Sequence, residues 1–240
     1  IAAVIEAHNE TTNVGVTVAL TAGIDSFAGT TGNDTINSII DGAVSALDNI
    51  NGGAGNDTLN VSNSLAAALT VPTSVTVTGV ETANLTSATT VGVGIVSGTT
   101  PLDVSGWTGL TEVTATSGTT ANLKAAATTD VVVNAGTAAT VLGGNAVTAT
   151  ANNGNLIVNS AAGAVNATTV AGDIAIDKAT GAITANAAGA ITVTAAKSTV
   201  TAVADEDVSI GGGTVISSTI NNVSAEQNAL DVIAATDAAT

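Results

Sequence analysis

Apolar and polar residues alternate along most of this chain in short runs. Val14, Val16, Val18 and Leu20 are interleaved with Gly15, Thr17 and Ala19, the period-two signature of a half-buried strand. From Ser74 onward short strands follow almost without pause. Segments 74–78 and 82–86 flank Gly79-Val80-Glu81, and 102–104 leads through Gly106-Trp107-Thr108-Gly109 into 110–116. Segments 130–134, 146–150, 156–159, 173–176, 182–184, 190–193, 199–203 and 208–210 continue the series. Gly163, Gly172, Gly181 and Gly189 recur every eight or nine residues, so two or three such steps make one coil of a stack. The pattern predicts an all-β fold, a parallel β-roll or β-helix-like solenoid, with a β-sandwich as the alternative. Only the ends depart from it. Residues 1–10, IAAVIEAHNE, have the Ala and Ile spacing of the last turns of a helix, and 225–235, AEQNALDVIAA, predicts a short one.

Composition strengthens the solenoid reading. Of 240 residues 45% are hydrophobic, yet Phe27 and Trp107 are the only aromatics. A globular core draws on large side chains because burial free energy scales with apolar area. A chain of Ala, Val, Thr, Gly and Asn suits closely stacked strands instead. It starts at Ile1 and holds no Met, as expected of a piece of a longer protein. The pattern divides it into 1–20 (the end of a helical region and an entry strand), 21–63 and a Thr/Ala/Val/Gly-rich stretch, 64–240.

Charge excludes whole classes of partner. The net charge is −16, with three lysines and no arginine, so the chain has no means of gripping nucleic-acid phosphates or an anionic membrane. No apolar run reaches 18 residues, so no transmembrane helix is expected. Cysteine is absent, and disulfides play no part. His8 is the sole histidine, and no serine has a nucleophile motif around it; no enzyme is expected. Polysaccharide lyases of solenoid form need a basic residue and aromatic sugar platforms, which three scattered lysines and two aromatics supply poorly.

One stretch carries specific chemistry. Gly52 to Asn60, GGAGNDTLN, fits the calcium-binding nonapeptide G-G-x-G-x-D-x-U-x. Residues 25–37, DSFAGTTGNDTIN, repeat 48–60, DNINGGAGNDTLN, at an offset of 23 with Thr30 in place of one glycine. Calcium takes roughly 6–8 oxygen ligands, glycine turns can aim carbonyls inward, and aspartate supplies charge. Equivalent turns of a continuous array stand about 18 residues apart, so the longer offset implies an inserted loop at 38–46. Gly-Asn-Asp alone is also a good tight turn; the long match and its near-copy are what favour calcium. Asp205-Glu206-Asp207 reads as a solvated acidic turn, and Glu81 as a solvated surface acid. Thr-x-Thr steps at Thr76/Thr78, Thr114/Thr116, Thr148/Thr150, Thr192/Thr194 and Thr199/Thr201 reflect strand propensity, their spacing being too irregular for a binding rank.

These turns resemble the RTX repeats of proteins exported by bacterial type I secretion. In order, LTAGIDSFAGTTGNDTIN, GGAGNDTLNV, VTVTGVETANLTS and GWTGLTEVTATSG are similar to calcium-dependent S-layer and related surface proteins of Gram-negative bacteria. The resemblance covers residues 20–118. It implies a secreted, structural protein of the bacterial cell surface, folding on Ca2+ after export and self-assembling into a homo-oligomeric lattice or filament. The stalk of a calcium-dependent RTX adhesin is the alternative, and contact with cell-surface polysaccharide would fall to regions outside this sequence. It implies Asp34 and Asp57 as principal ligands, Asp25 and Asp48 as their nine-residue partners, and carbonyls around Gly29, Thr31, Gly32, Gly52, Ala54 and Gly55.

Overall fold

The computed structural model describes residues 14–38, 41, 43–93 and 101–221, together with the backbone of 3–6 and 230–233. Every strand pairs in parallel with its neighbours, and the chain winds as a right-through stack of about 11 coils. The spine is an 11-stranded sheet from Thr17–Ala19 to Ile216–Ile220, built of every second strand in the sequence. An eight-stranded sheet from Leu102–Asp103 to Leu230–Ile233 closes the coils over most of their length. A four-stranded sheet (Ala3–Glu6, Asp25–Ala28, Asn49–Asn51 and Thr76–Thr78) closes the first ones.

Coil length changes abruptly along the spine. Partners Thr35↔Thr58, Thr58↔Thr82 and Thr82↔Glu112 are 23, 24 and 30 residues apart. Beyond Glu112 successive partners are only 16 to 18 apart. The long coils carry an extra side. Leu69, Val91 and Ala121 are bridged in a line that the eight-stranded sheet continues, while Thr78↔Thr108 ends the four-stranded one. The coils thus pass from three faces to two near Gly106–Gly109. Strand register is untouched, because a one-residue slip would turn every inward side chain outward.

Alternation fills the interior. One inward column of the spine reads Ile36, Leu59, Ala83, Val113, Val131, Val147, Val165, Ile183 and Val200, and all are buried. The next reads Val61, Leu85, Ala115, Val133, Ala149, Ala167, Ala185 and Ala202. Across the coil Leu156, Ile174, Ile191 and Val208 supply bulk. Larger side chains on one sheet and alanines on the other let the sheets approach without aromatic filler. Phe27 and Trp107, the two exceptions, sit in the three-faced region.

The helical expectation at both ends is corrected. Ala3–Glu6 is a strand in register with Asp25–Ala28, and Leu230–Ile233 pairs with Val208–Gly211. The rest of 1–10 and of 225–235 lies outside the described residues. None of the described residues is helical, and no helix is long and apolar enough to cross a membrane. Ala- and Ile-rich fragments this short satisfy either period, and an available parallel edge settles them as strands. The Thr-x-Thr steps divide among the sheets: Thr76/Thr78 on the short one, Thr192/Thr194 on the eight-stranded one. Thr114/Thr116 and Thr148/Thr150 do share columns of the spine, with Val132 and Asn134 between. Their uneven spacing is absorbed in the turns.

Candidate metal centre

Two columns of buried carboxylates run up the three-faced coils. Asp25, Asp34, Asp48 and Asp57 are each no more than 1% exposed. Register stacks Asp25 under Asp48 at the start of the short-sheet strands and Asp34 under Asp57 at the start of the spine strands. The structure therefore brings together acids 23 residues apart; the nine-residue pairs fall in separate columns.

The first column is closed by its own neighbours. The Thr21 amide donates to Asp25 Oδ2 at 2.6 Å, and the Thr21 hydroxyl to Oδ1 at 2.9 Å. The Asp25 amide donates to Asp48 Oδ1 at 2.9 Å, and the Ser45 amide to Asp48 Oδ2 at 2.7 Å. Each oxygen has a donor, which is what a buried carboxylate requires.

The second column is a ladder of three. The Val16 amide donates to Asp34 Oδ1, the Asp34 amide to Asp57 Oδ1 and the Asp57 amide to Glu81 Oε2, each at 2.7 Å. Glu81 corrects the reading of a merely solvated acid, since it forms the top rung. The turn below it, Gly79-Val80, is three residues shorter than the copies at 29–33 and 52–56. Above each acid an asparagine ladder marks the same repeat: Asn60 Nδ2 donates to Asn37 Oδ1, and Asn84 Nδ2 to Asn60 Oδ1, both at 2.9 Å.

The two full turns differ in the donors their carboxylates receive. Asp34 Oδ2 accepts from the Thr30 amide at 2.6 Å, and the Thr30 hydroxyl donates to Oδ1 at 2.9 Å. Thr30 was not among the expected ligands, yet it completes this carboxylate. Its counterpart in the next coil is Gly53, whose amide donates to Asn51 Oδ1 at 3.1 Å instead. Asp57 Oδ2 is left buried without a hydrogen-bond partner. Burial of that oxygen pushes the Asp57 carboxyl up from 3.8 to about 6; the Asp34 amide pulls the other way, and the charges of Asp34 and Glu81 add to the rise.

Gly53 is not free to become a threonine. Its φ is +99°, and a Cβ would lie 2.3 Å from the Thr30 carbonyl oxygen, a clash that only glycine avoids. Gly55, at φ +130°, packs likewise on Gly32. Thr30 escapes this constraint because the coil beneath offers Val14–Val16, not another glycine turn.

The remaining expected ligands line the same turns. Gly32 and Gly52 are buried, Gly29 is half-buried, and Thr31, Ala54 and Gly55 are exposed. The Gly79 carbonyl oxygen and Asp57 Oδ2 both crowd the Cβ position of Gly52, so a main-chain oxygen accompanies the unpartnered one. Among the described residues no three His, Asp or Glu side chains converge. A hard cation here would draw on two carboxylates and on carbonyls, a donor set that suits calcium. Compared with protein-family models and with curated proteins, the chain matches none.

Proposed function

We propose that this chain is a calcium-stabilised structural segment of a bacterial cell-surface protein of S-layer type, which assembles with copies of itself into a lattice or filament. The observation that carries the calcium part is Asp57 Oδ2, a buried carboxylate oxygen without a donor inside a glycine turn. Burying such an oxygen costs about 1–3 kcal/mol or more, and a divalent cation offsets that cost while relieving a charge of −16. A cation that binds only the folded coils stabilises them by RT ln(1 + [L]/Kd). Scarce calcium inside the cell would leave the first coils loose for export, and abundant calcium outside would close them. Single-file coils with outward Thr and Asn suit repetitive self-contact.

The stalk of a surface adhesin is the second reading, favoured by the same single-file stack, which makes a spacer of about 50 Å at strand spacing. Calcium titration followed by circular dichroism and negative-stain imaging of the same samples tests both. Gain of β structure with sheets or filaments supports the assembly reading, and isolated rods support the stalk. Full β structure in excess chelator, without assembly, overturns the calcium mechanism.

A further inference from the structure

The two glycine turns share a motif, yet their carboxylates have different needs. Asp34 receives three donors, from the Val16 amide and from the amide and hydroxyl of Thr30. Asp57 receives one, the Asp34 amide, and its second oxygen has none. The main-chain surroundings are otherwise equivalent. A Cβ on Gly29 would sit 1.7 Å from the Gly52 carbonyl oxygen and 2.5 Å from Asp34 Oδ2, and one on Gly52 would sit 1.9 Å from that of Gly79 and 2.6 Å from Asp57 Oδ2. The same oxygen pair is thus presented twice, while the side chains around it differ.

Two substitutions produce the difference. Thr30 answers Gly53, and Ala28 answers Asn51 at the strand end, as the register Ala28↔Asn51 shows. Asn51 draws the Gly53 amide to its own side chain, away from Asp57. Ala28 has no such group, so the Thr30 amide turns to Asp34, and its hydroxyl follows. Above, Glu81 brings a second carboxylate to Asp57; in the lower turn that place is taken by Asp57 itself.

Resting on the calcium reading, we propose that the pair of turns takes one divalent cation, not two. It is held at the upper turn by Asp57 and Glu81 with main-chain carbonyls, while Thr30 fills the equivalent place in the lower turn. Thr30 is then a built-in substitute for an ion. The lower coil closes without calcium and offers a finished platform on which the upper coil closes with it.

The test is the stoichiometry of calcium chloride binding to the 240-residue chain, by isothermal titration calorimetry and native mass spectrometry. One ion is expected for the natural sequence, and two for the double variant Ala28→Asn/Thr30→Gly. Glu81→Gln, which keeps an acceptor for the Asp57 amide but removes the charge, should bind one ion with Kd raised about tenfold or more. This variant keeps the test decisive where the double variant fails to fold. Two ions in the natural chain, no added ion in a folded double variant, or an unchanged Kd in Glu81→Gln overturns the assignment and leaves the calcium reading standing. No ion bound to the natural chain sinks both.

Discussion

The three-faced coils before Gly109 and the two-faced coils after it share one hydrogen-bond ladder but cohere by different means. The first part buries Asp25, Asp34, Asp48 and Asp57, and also Thr30, Ser38 and Ser87. The second buries no acid among the described residues; its interior is mostly Val, Ile, Leu and Ala, with Ser117, Asn122, Thr129 and Thr169 as buried polar residues, and Asn122 Nδ2 has no hydrogen-bond partner. Apolar columns hold without help, since their gain is non-directional and proportional to area. Carboxylate columns hold only when each oxygen is matched. The first part carries an unmatched carboxylate oxygen, at Asp57, and the second carries an unmatched neutral amide, at Asn122. In a stack where each coil touches only its neighbours, both behaviours coexist without one overruling the other.

The largest expected effect comes from removing the unmatched acid. Asp57→Ala should raise the calcium concentration needed to fold the first coils about tenfold or more, followed by amide exchange across residues 25–87. Asp205→Ala should leave it nearly unchanged, and equal effects would erase the contrast between the two parts. Next, Leu156→Ala should cost about 2–5 kcal/mol in denaturant unfolding, by the same amount with calcium or with chelator. A calcium-dependent cost there would mean that the parts are not separable.

A comparable effect is expected from pH. Asp57 ionises at about 6 when folded against 3.8 as an ordinary aspartate, so between those values the unfolded chain gives up its proton first. The contribution of Asp57 to stability in chelator is therefore fully present below about pH 4 and is lost as pH rises through about 6. Asp57→Asn should flatten that slope, and calcium should reverse it. The smallest effect is expected where the two parts meet. Lys124 donates to Asp103 at 2.7 Å with both side chains about two-fifths exposed. Burial works against the Asp103 carboxylate, but the Lys124 and Ser105 bonds hold its pKa below the usual value. Lys124→Ala should cost less than about 1 kcal/mol, and less still in high salt.

Much of this architecture is written in spacing. Gly163 and Gly181 stack on one another, as do Gly154, Gly172 and Gly189, so the eight- or nine-residue glycine rhythm is two corners of one coil. The carboxylate repeat was half legible. Asp34-Thr-Ile-Asn and Asp57-Thr-Leu-Asn announce themselves, and Glu81-Thr-Ala-Asn at the next offset is a third copy. Its acid differs and its turn is shorter, which hides it from a glycine-based motif. Thr30 read as a defect in a calcium turn because the motif records what an ion needs, not what a hydroxyl can replace. The third face left no trace in periodicity, for Leu69 and Val91 join it through single bridges. The ends misled because four-residue apolar fragments such as AVIE and LDVI carry no period of their own.

The corner at Gly92 has a practical consequence. Gly92 takes φ +69°, and the amide nitrogen of Leu102 lies 2.7 Å from where a Gly92 Cβ would be. Gly92 and Leu102 thus meet at one point, fixed by the Val91↔Ala121 and Leu102↔Leu123 pairings on the next coil. Each doubling of what is strung between them adds only about 0.6 kcal/mol of closure entropy. The corner is a socket: a foreign peptide or small domain spliced in here would ride on the outside of the stack while the strands beneath keep their places.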